Sequence, residues 1–263
     1  MPTPSARSRT PIVALLAALT LAAWAWTIHL GRAMPGMEMP AMDMTGMDMP
    51  GMDMPGMDMS GGATTTATDW SAAGYGGLFV MWAVMMVAMM TPAAGPAVLA
   101  TARASEARPL RAAALFVVGY LALWSGFSAA AAGLQLALNH AGWLTPMGAS
   151  ARPGLSLGLL LLAGGYQFTA AKGRCLGACR VRGEGRATGQ GLPDGLAYGL
   201  RCLGCCAALM PLLFVMGVMT LWWVALLAAV VFLERVSPWG RTVERTIGVA
   251  CLAGAAVVAA RMA

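Results

Sequence analysis

Six apolar stretches dominate this chain, at 11–30, 78–100, 112–138, 154–171, 198–233 and 247–261. A helix that crosses a bilayer needs about 20 such residues, at about 1.5 Å of rise each. Only 11% of the residues are charged, against roughly 25% in a soluble domain. Too little polar material remains to cover a water-facing surface. The expected fold is therefore an all-α, polytopic transmembrane helix bundle.

The stretch 198–233 is too long for one span, and both of its flanks are basic. Before it stand Lys172, Arg174, Arg180, Arg182 and Arg186, and after it Arg235, Arg241 and Arg245. Basic loops stay cytoplasmic, so an even number of crossings must separate these two. Two thin spans turning near 217–220 satisfy the rule and bring the total to about seven. The N-terminus is then cytoplasmic, loop 31–77 periplasmic, and loop 101–111 cytoplasmic. This arrangement puts 14 of the 17 basic residues on the cytoplasmic side. It also makes the chain a multi-pass inner-membrane protein. Residues 1–30 are read as a signal anchor, or as a cleaved signal peptide with Ala23-Trp24-Ala25 as its small-x-small site, which leaves six spans. Residues 78–263 form the bundle. Basic residues scattered over short loops make no stripe, so nucleic acid is not a partner; the lipid bilayer is.

Between the first two spans, residues 36–60 are five pentapeptides: GMEMP, AMDMT, GMDMP, GMDMP and GMDMS. Each sets two methionines around one acidic residue: Met37 and Met39, Met42 and Met44, Met47 and Met49, Met52 and Met54, Met57 and Met59. Gly, Pro and low complexity argue against helix or sheet. The thioether is a soft, uncharged ligand that suits Cu(I) and needs no deprotonation. Met-x-Met in an extended chain puts both sulfurs on one side. The segment 31–77 is thus a periplasmic, disordered metal-capture segment.

The second span continues the theme. Met81, Met85 and Met89 share one helical face, and Met86 and Met90 lie beside them. Bundle packing explains such a stripe as well as a metal conduit does. Pro92 and Pro96 are expected to kink or end this helix.

Five of the six cysteines fall in two clusters, Cys175-x3-Cys179 and Cys202-x2-Cys205-Cys206. Spacings of three and four put each set on one helix face. A short connection joins the two spans, so the sets meet at the same, cytoplasmic side. Four or five thiolates there make a closed soft-metal site for Cu(I), and Zn(II) fits the same donors. Lys172, Arg174, Arg180 and Arg201 are placed to favour thiolate. Gln167 is a candidate supporting residue, Cys251 is packing, and Gly154-x3-Gly158 and Gly195-x3-Gly199 are close-packing motifs. No phosphate loop, phosphorylatable Asp motif or nucleotide-binding domain is present, which excludes a pumping ATPase, and no enzymatic activity is expected.

Three segments carry a resemblance. They are Met81-Trp82-x-Val84-Met85-Met86-x-Ala88-Met89-Met90-x-Pro92, Gly165-Tyr166-Gln167-x-Thr169-x2-Lys172-x2-Cys175-Leu176-x2-Cys179-Arg180, and Gly199-x2-Cys202-x-Gly204-Cys205-Cys206-x3-Met210. Over about residues 75–260 the chain resembles a family of bacterial metal-binding integral membrane proteins, of unknown function, whose members are often called copper chaperones. The resemblance implies metal binding by the matching cysteines and extends to the methionine stripe; the pentapeptides lie outside it. The expected function is a membrane copper chaperone or Cu(I) permease. It would capture Cu(I) on methionines, hold it at the cysteines, and exchange it with a periplasmic or cytoplasmic copper-accepting protein. The alternatives are a membrane thiol–disulfide oxidoreductase using the same cysteines, and a scaffold or assembly factor that a metal staples together.

Overall fold

A computed structural model describes residues 6–33, 72–105, 107–179 and 187–262. The pentapeptide methionines, Met37 to Met59, and Arg180, Arg182 and Arg186 lie outside the described residues. Within them the chain forms nine α-helices: α1 Ala6–Ala33, α2 Ala72–Ala104, α3 Pro109–His140, α4 Pro153–Gln167, α5 Ala170–Cys179, α6 Leu192–Cys206, α7 Leu213–Met216, α8 Leu221–Val236 and α9 Gly240–Met262. A 3-10 turn, Met210–Leu212, precedes α7.

Helices α1, α2, α3 and α9 are long and apolar enough to cross a membrane. Two bent pairs reach that length only together: α4 with α5, bent by 66°, and α6 with Met210–Met216, bent by 50°. By length and composition the described residues hold four spans, or six if each bent pair is one. The count of about seven needs α8 as well. Its 16 residues rise about 24 Å, short of a hydrocarbon layer about 30 Å thick. The chain does turn where expected: Gly217, at φ +100°, ends α7, in a conformation that a side chain disfavours.

Other boundaries moved. Pro92 and Pro96 sit inside a continuous α2 and do not end it. Each proline removes a helical N–H, and tyrosines from neighbouring helices donate into the same stretch. Tyr120 Oη reaches the Met90 carbonyl at 3.2 Å, and Tyr198 Oη the Ala93 carbonyl at 3.4 Å. The carbonyls that the prolines free, those of Ala88 and Pro92, are not the ones bonded, so the continuity of α2 rests on its packing along α1 and α3. The fourth span is not straight, because it breaks at Phe168–Thr169. Beyond the apolar stretch 154–171 the chain stays helical to Cys179.

Helix α2 packs along α1 and α3 and touches α8; α6 packs against α3 and α5; α4 lies on α9, which also meets α8. At the crossing of α3 and α6, a Cβ on Gly195 would sit 2.1 Å from the Phe116 carbonyl oxygen. Only glycine lets the backbones approach that closely. Gly154 and Gly158 meet nothing within 4 Å, so that pair is not a packing motif. Some buried polar groups pair across helices, which offsets the cost of burying them in apolar surroundings. Trp82 Nε1 on α2 donates to Gln135 Oε1 on α3 at 2.7 Å.

The connections gather at two ends. After α3, Ser150 N donates to the Phe214 carbonyl at 2.6 Å and Met219 N to the Met147 carbonyl at 3.4 Å. Loop 141–152 and the 217–220 turn therefore lie together. At the other end of α3, Gly189 and Gly191 abut the carbonyls of Ala104 and Ala112. The loop before α3 thus meets the one before α6. These are the groupings the charge pattern assigns to opposite sides.

Candidate metal centre

Helix α5 carries Cys175 and Cys179, and α6 carries Cys202, Cys205 and Cys206 at its C-terminal end. The helices pack on each other and bring the two sets into contact. Cys205 and Cys206 have their sulfurs 3.4 Å apart. Cys179 lies near enough to Cys205, and Cys206 to Cys202, for each pair to couple electrostatically. Cys175 Sγ lies against Gly204, 2.9 Å from where a Cβ there would stand. All five are free thiols; Cys202, Cys205 and Cys206 are fully buried, and Cys175 is half-buried. Cys251, on α9, packs beside Gly164, apart from the cluster.

The expectation of a ready-made closed site needs correction. Among the described residues, no three His, Cys, Asp or Glu side chains converge closely enough to hold a metal ion as they stand. The thiols instead bond to neighbours. Cys205 donates to the Cys202 carbonyl at 3.2 Å, and Cys202 Sγ meets Tyr120 Oη at 3.1 Å. Adjacent helical residues such as Cys205 and Cys206 point about 100° apart. Rotamer changes must therefore aim three sulfurs at one point.

Among the described residues, the cation bonded to this cluster is Arg235. The sequence placed it in a loop, but it lies in the last turn of α8 and is 2% exposed. Its Nη2 donates to Cys205 Sγ at 3.2 Å, and its guanidinium lies 5.7 Å from the centre of the Tyr198 ring. Its Nε and Nη1 have no hydrogen-bond partner. A buried cation in that position favours thiolate and offsets the charge of a multi-thiolate complex. Lys172, expected in that role, is turned elsewhere. Its Nζ holds both Glu234 carboxylate oxygens, at 3.1 and 3.0 Å, and both side chains are completely buried. This ion pair ties α5 to α8. Tyr166 donates to the Gly204 carbonyl and so ties α4 to α6. Gln167 is buried with both polar atoms unpartnered, and its Cβ lies near Gly248 of α9. Arg201 lines a cavity of about 310 Å³ beside the cluster, together with Cys179, Tyr198 and Arg235.

The methionine stripe is buried along its whole length: Met81, Met85, Met86, Met89 and Met90 all belong to the core. Its lower end reaches the thiols through one residue, because Tyr120 Oη contacts both the Met90 carbonyl and Cys202 Sγ.

Sequence reasoning missed Arg235, Tyr120, Tyr198 and Glu234. The available signal was the presence of polar side chains in or beside apolar spans, which normally face the bundle interior.

Comparison with curated proteins and with solved structures gave no match. Residues 79–258, more than half of the chain, match the family PpoB2, described as copper chaperone. The chain belongs to this copper chaperone family.

Proposed function

We propose that the protein is a membrane Cu(I) carrier that takes the ion on its methionine-rich segment and passes it to the cysteine cluster. The ion is cargo and moves by ligand exchange between similar soft donors, so no enzymatic step is involved. Thioethers collect it on the periplasmic side, and thiolates, which bind it more tightly, retain it towards the cytoplasm. That gradient of donor strength favours inward delivery to an accepting protein. The observation that carries this reading is the gathering of Cys202, Cys205 and Cys206 at the end of α6, with Cys175 of α5 against Gly204 and the buried guanidinium of Arg235 on Cys205. Family membership supports copper as the cargo.

The test is Cu(I) uptake by the purified protein under reducing conditions. Replacing Cys202, Cys205 and Cys206 together by Ser should remove at least one tightly bound equivalent. Unchanged stoichiometry in that variant contradicts the proposal. The 3.4 Å approach of Cys205 and Cys206 sulfurs also supports a second reading, dithiol redox chemistry. Trapping a mixed disulfide with a thioredoxin-like protein would favour it over metal carriage.

A further inference from the structure

At the far end of α2 from the thiols, three methionines surround one small crevice. Met81 and Met85 of α2 line it with Met219, from the turn before α8. Met81 and Met85 are i, i+4 neighbours on one helical face. Met219 packs against the core, and its N–H bonds to the Met147 carbonyl. The third wall is α1, through Trp26, Thr27 and Gly31. A Cβ on Gly31 would stand 2.9 Å from Leu221 Cδ1, so glycine is what lets α1 close over the start of α8.

We propose that Met81, Met85 and Met219 form a second, thioether-only site for one Cu(I), where the ion first enters the bundle. The crevice holds about 20 Å³, room for one small ion, since about 10–15 Å³ suffices for a water. Its chemistry selects the ion. No carboxylate lines it, and hard divalent cations require oxygen ligands. The Thr27 hydroxyl is engaged with the Ala23 carbonyl. Three neutral sulfurs remain, a donor set for a soft monovalent cation. Position adds to this. The segment that holds the pentapeptides leaves α1 at Ala33 and rejoins the bundle at Ala72, and Gly31 lines the crevice itself. The stripe then continues along α2 to Met90, about 14 Å away at the helical rise. Met219 belongs to no part of the stripe, and its role here rests on the crevice alone.

The proposal rests on the copper reading and adds a site to it, so the test separates the two. The full-length protein, with its ten pentapeptide methionines changed to Ser to remove background binding, is titrated with Cu(I) against a coloured Cu(I) chelator. Leu replaces Met with little change of volume, so the fold is kept. Met81→Leu, Met85→Leu and Met219→Leu together should lose one equivalent. Met219→Leu alone should weaken that equivalent by about tenfold or more, since a third sulfur is gone. Met147→Leu, on the exposed loop outside the crevice, should change nothing. The Cys202, Cys205 and Cys206 to Ser variant should keep the methionine equivalent. A triple Leu variant that binds as much copper, as tightly, as its parent overturns the crevice site, whatever the cysteine variant does. Failure of the cysteine reading shows separately, as a cysteine variant that keeps every equivalent.

Discussion

At one end of the methionine stripe of α2, Met81 and Met85 sit in a crevice whose walls are almost wholly apolar. At the other, Met90 adjoins a thiol cluster surrounded by Tyr120, Tyr198, Arg235 and the Lys172–Glu234 pair. The contrast follows from the ligands. A thioether is neutral whether or not it binds, so its surroundings need supply only shape. A thiolate carries charge, and an apolar interior tolerates that charge only with a cation and hydrogen-bond donors nearby. The buried charged residues Lys172, Glu234 and Arg235 accordingly lie where the cysteines are.

Breaking the polar end should have the larger effects. The largest is expected from Glu234→Gln, which leaves the Lys172 ammonium buried without its counter-charge. Removing one partner of a buried pair costs about 3–5 kcal/mol, to be read from thermal unfolding in detergent. Replacing both residues, Lys172→Met with Glu234→Leu, should recover most of that loss. A double variant as unstable as the single one would show that the pair does more than neutralise itself.

Arg235→Leu comes next. It should weaken Cu(I) binding at the cysteines by about tenfold or more, because the buried thiolates lose their cation. It should leave any methionine-bound equivalent unchanged, and an equal loss at both ends would break the comparison. Gly195→Ala acts on packing alone. It forces α3 and α6 apart and should cost about 1–3 kcal/mol, with copper stoichiometry preserved in the protein that remains folded. The smallest effect is expected from Tyr120→Phe, which deletes the hydroxyl between Met90 and Cys202. It should cost about 1 kcal/mol and slow transfer between the two ends more than it alters the affinity of either.

Much of this was legible in the sequence. Apolar length gave the long helices, and the basic flanks of 198–233 led to the turn at Gly217. The two cysteine sets fall on two helices, α5 and α6, that pack together. What could not be read were features that depend on neighbours in space. Pro92 and Pro96 looked like helix breakers, yet α2 runs through both, because nothing local shows that it packs along α1 and α3. Arg235 looked like a loop cation because nothing local shows that α8 carries it to Cys205. Lys172 looked like a thiolate partner until Glu234, 62 residues on, took its ammonium. Charge counts show how many ions an apolar chain must accommodate, but only packing decides which of them pair.

The most direct measurement is X-ray absorption at the copper edge on the full-length protein loaded with Cu(I), its pentapeptide methionines replaced by Ser. The account predicts sulfur-only coordination, with the short copper–sulfur contribution of thiolates lost when Cys202, Cys205 and Cys206 become Ser. A spectrum that those substitutions leave unchanged, or one dominated by nitrogen and oxygen, would contradict it.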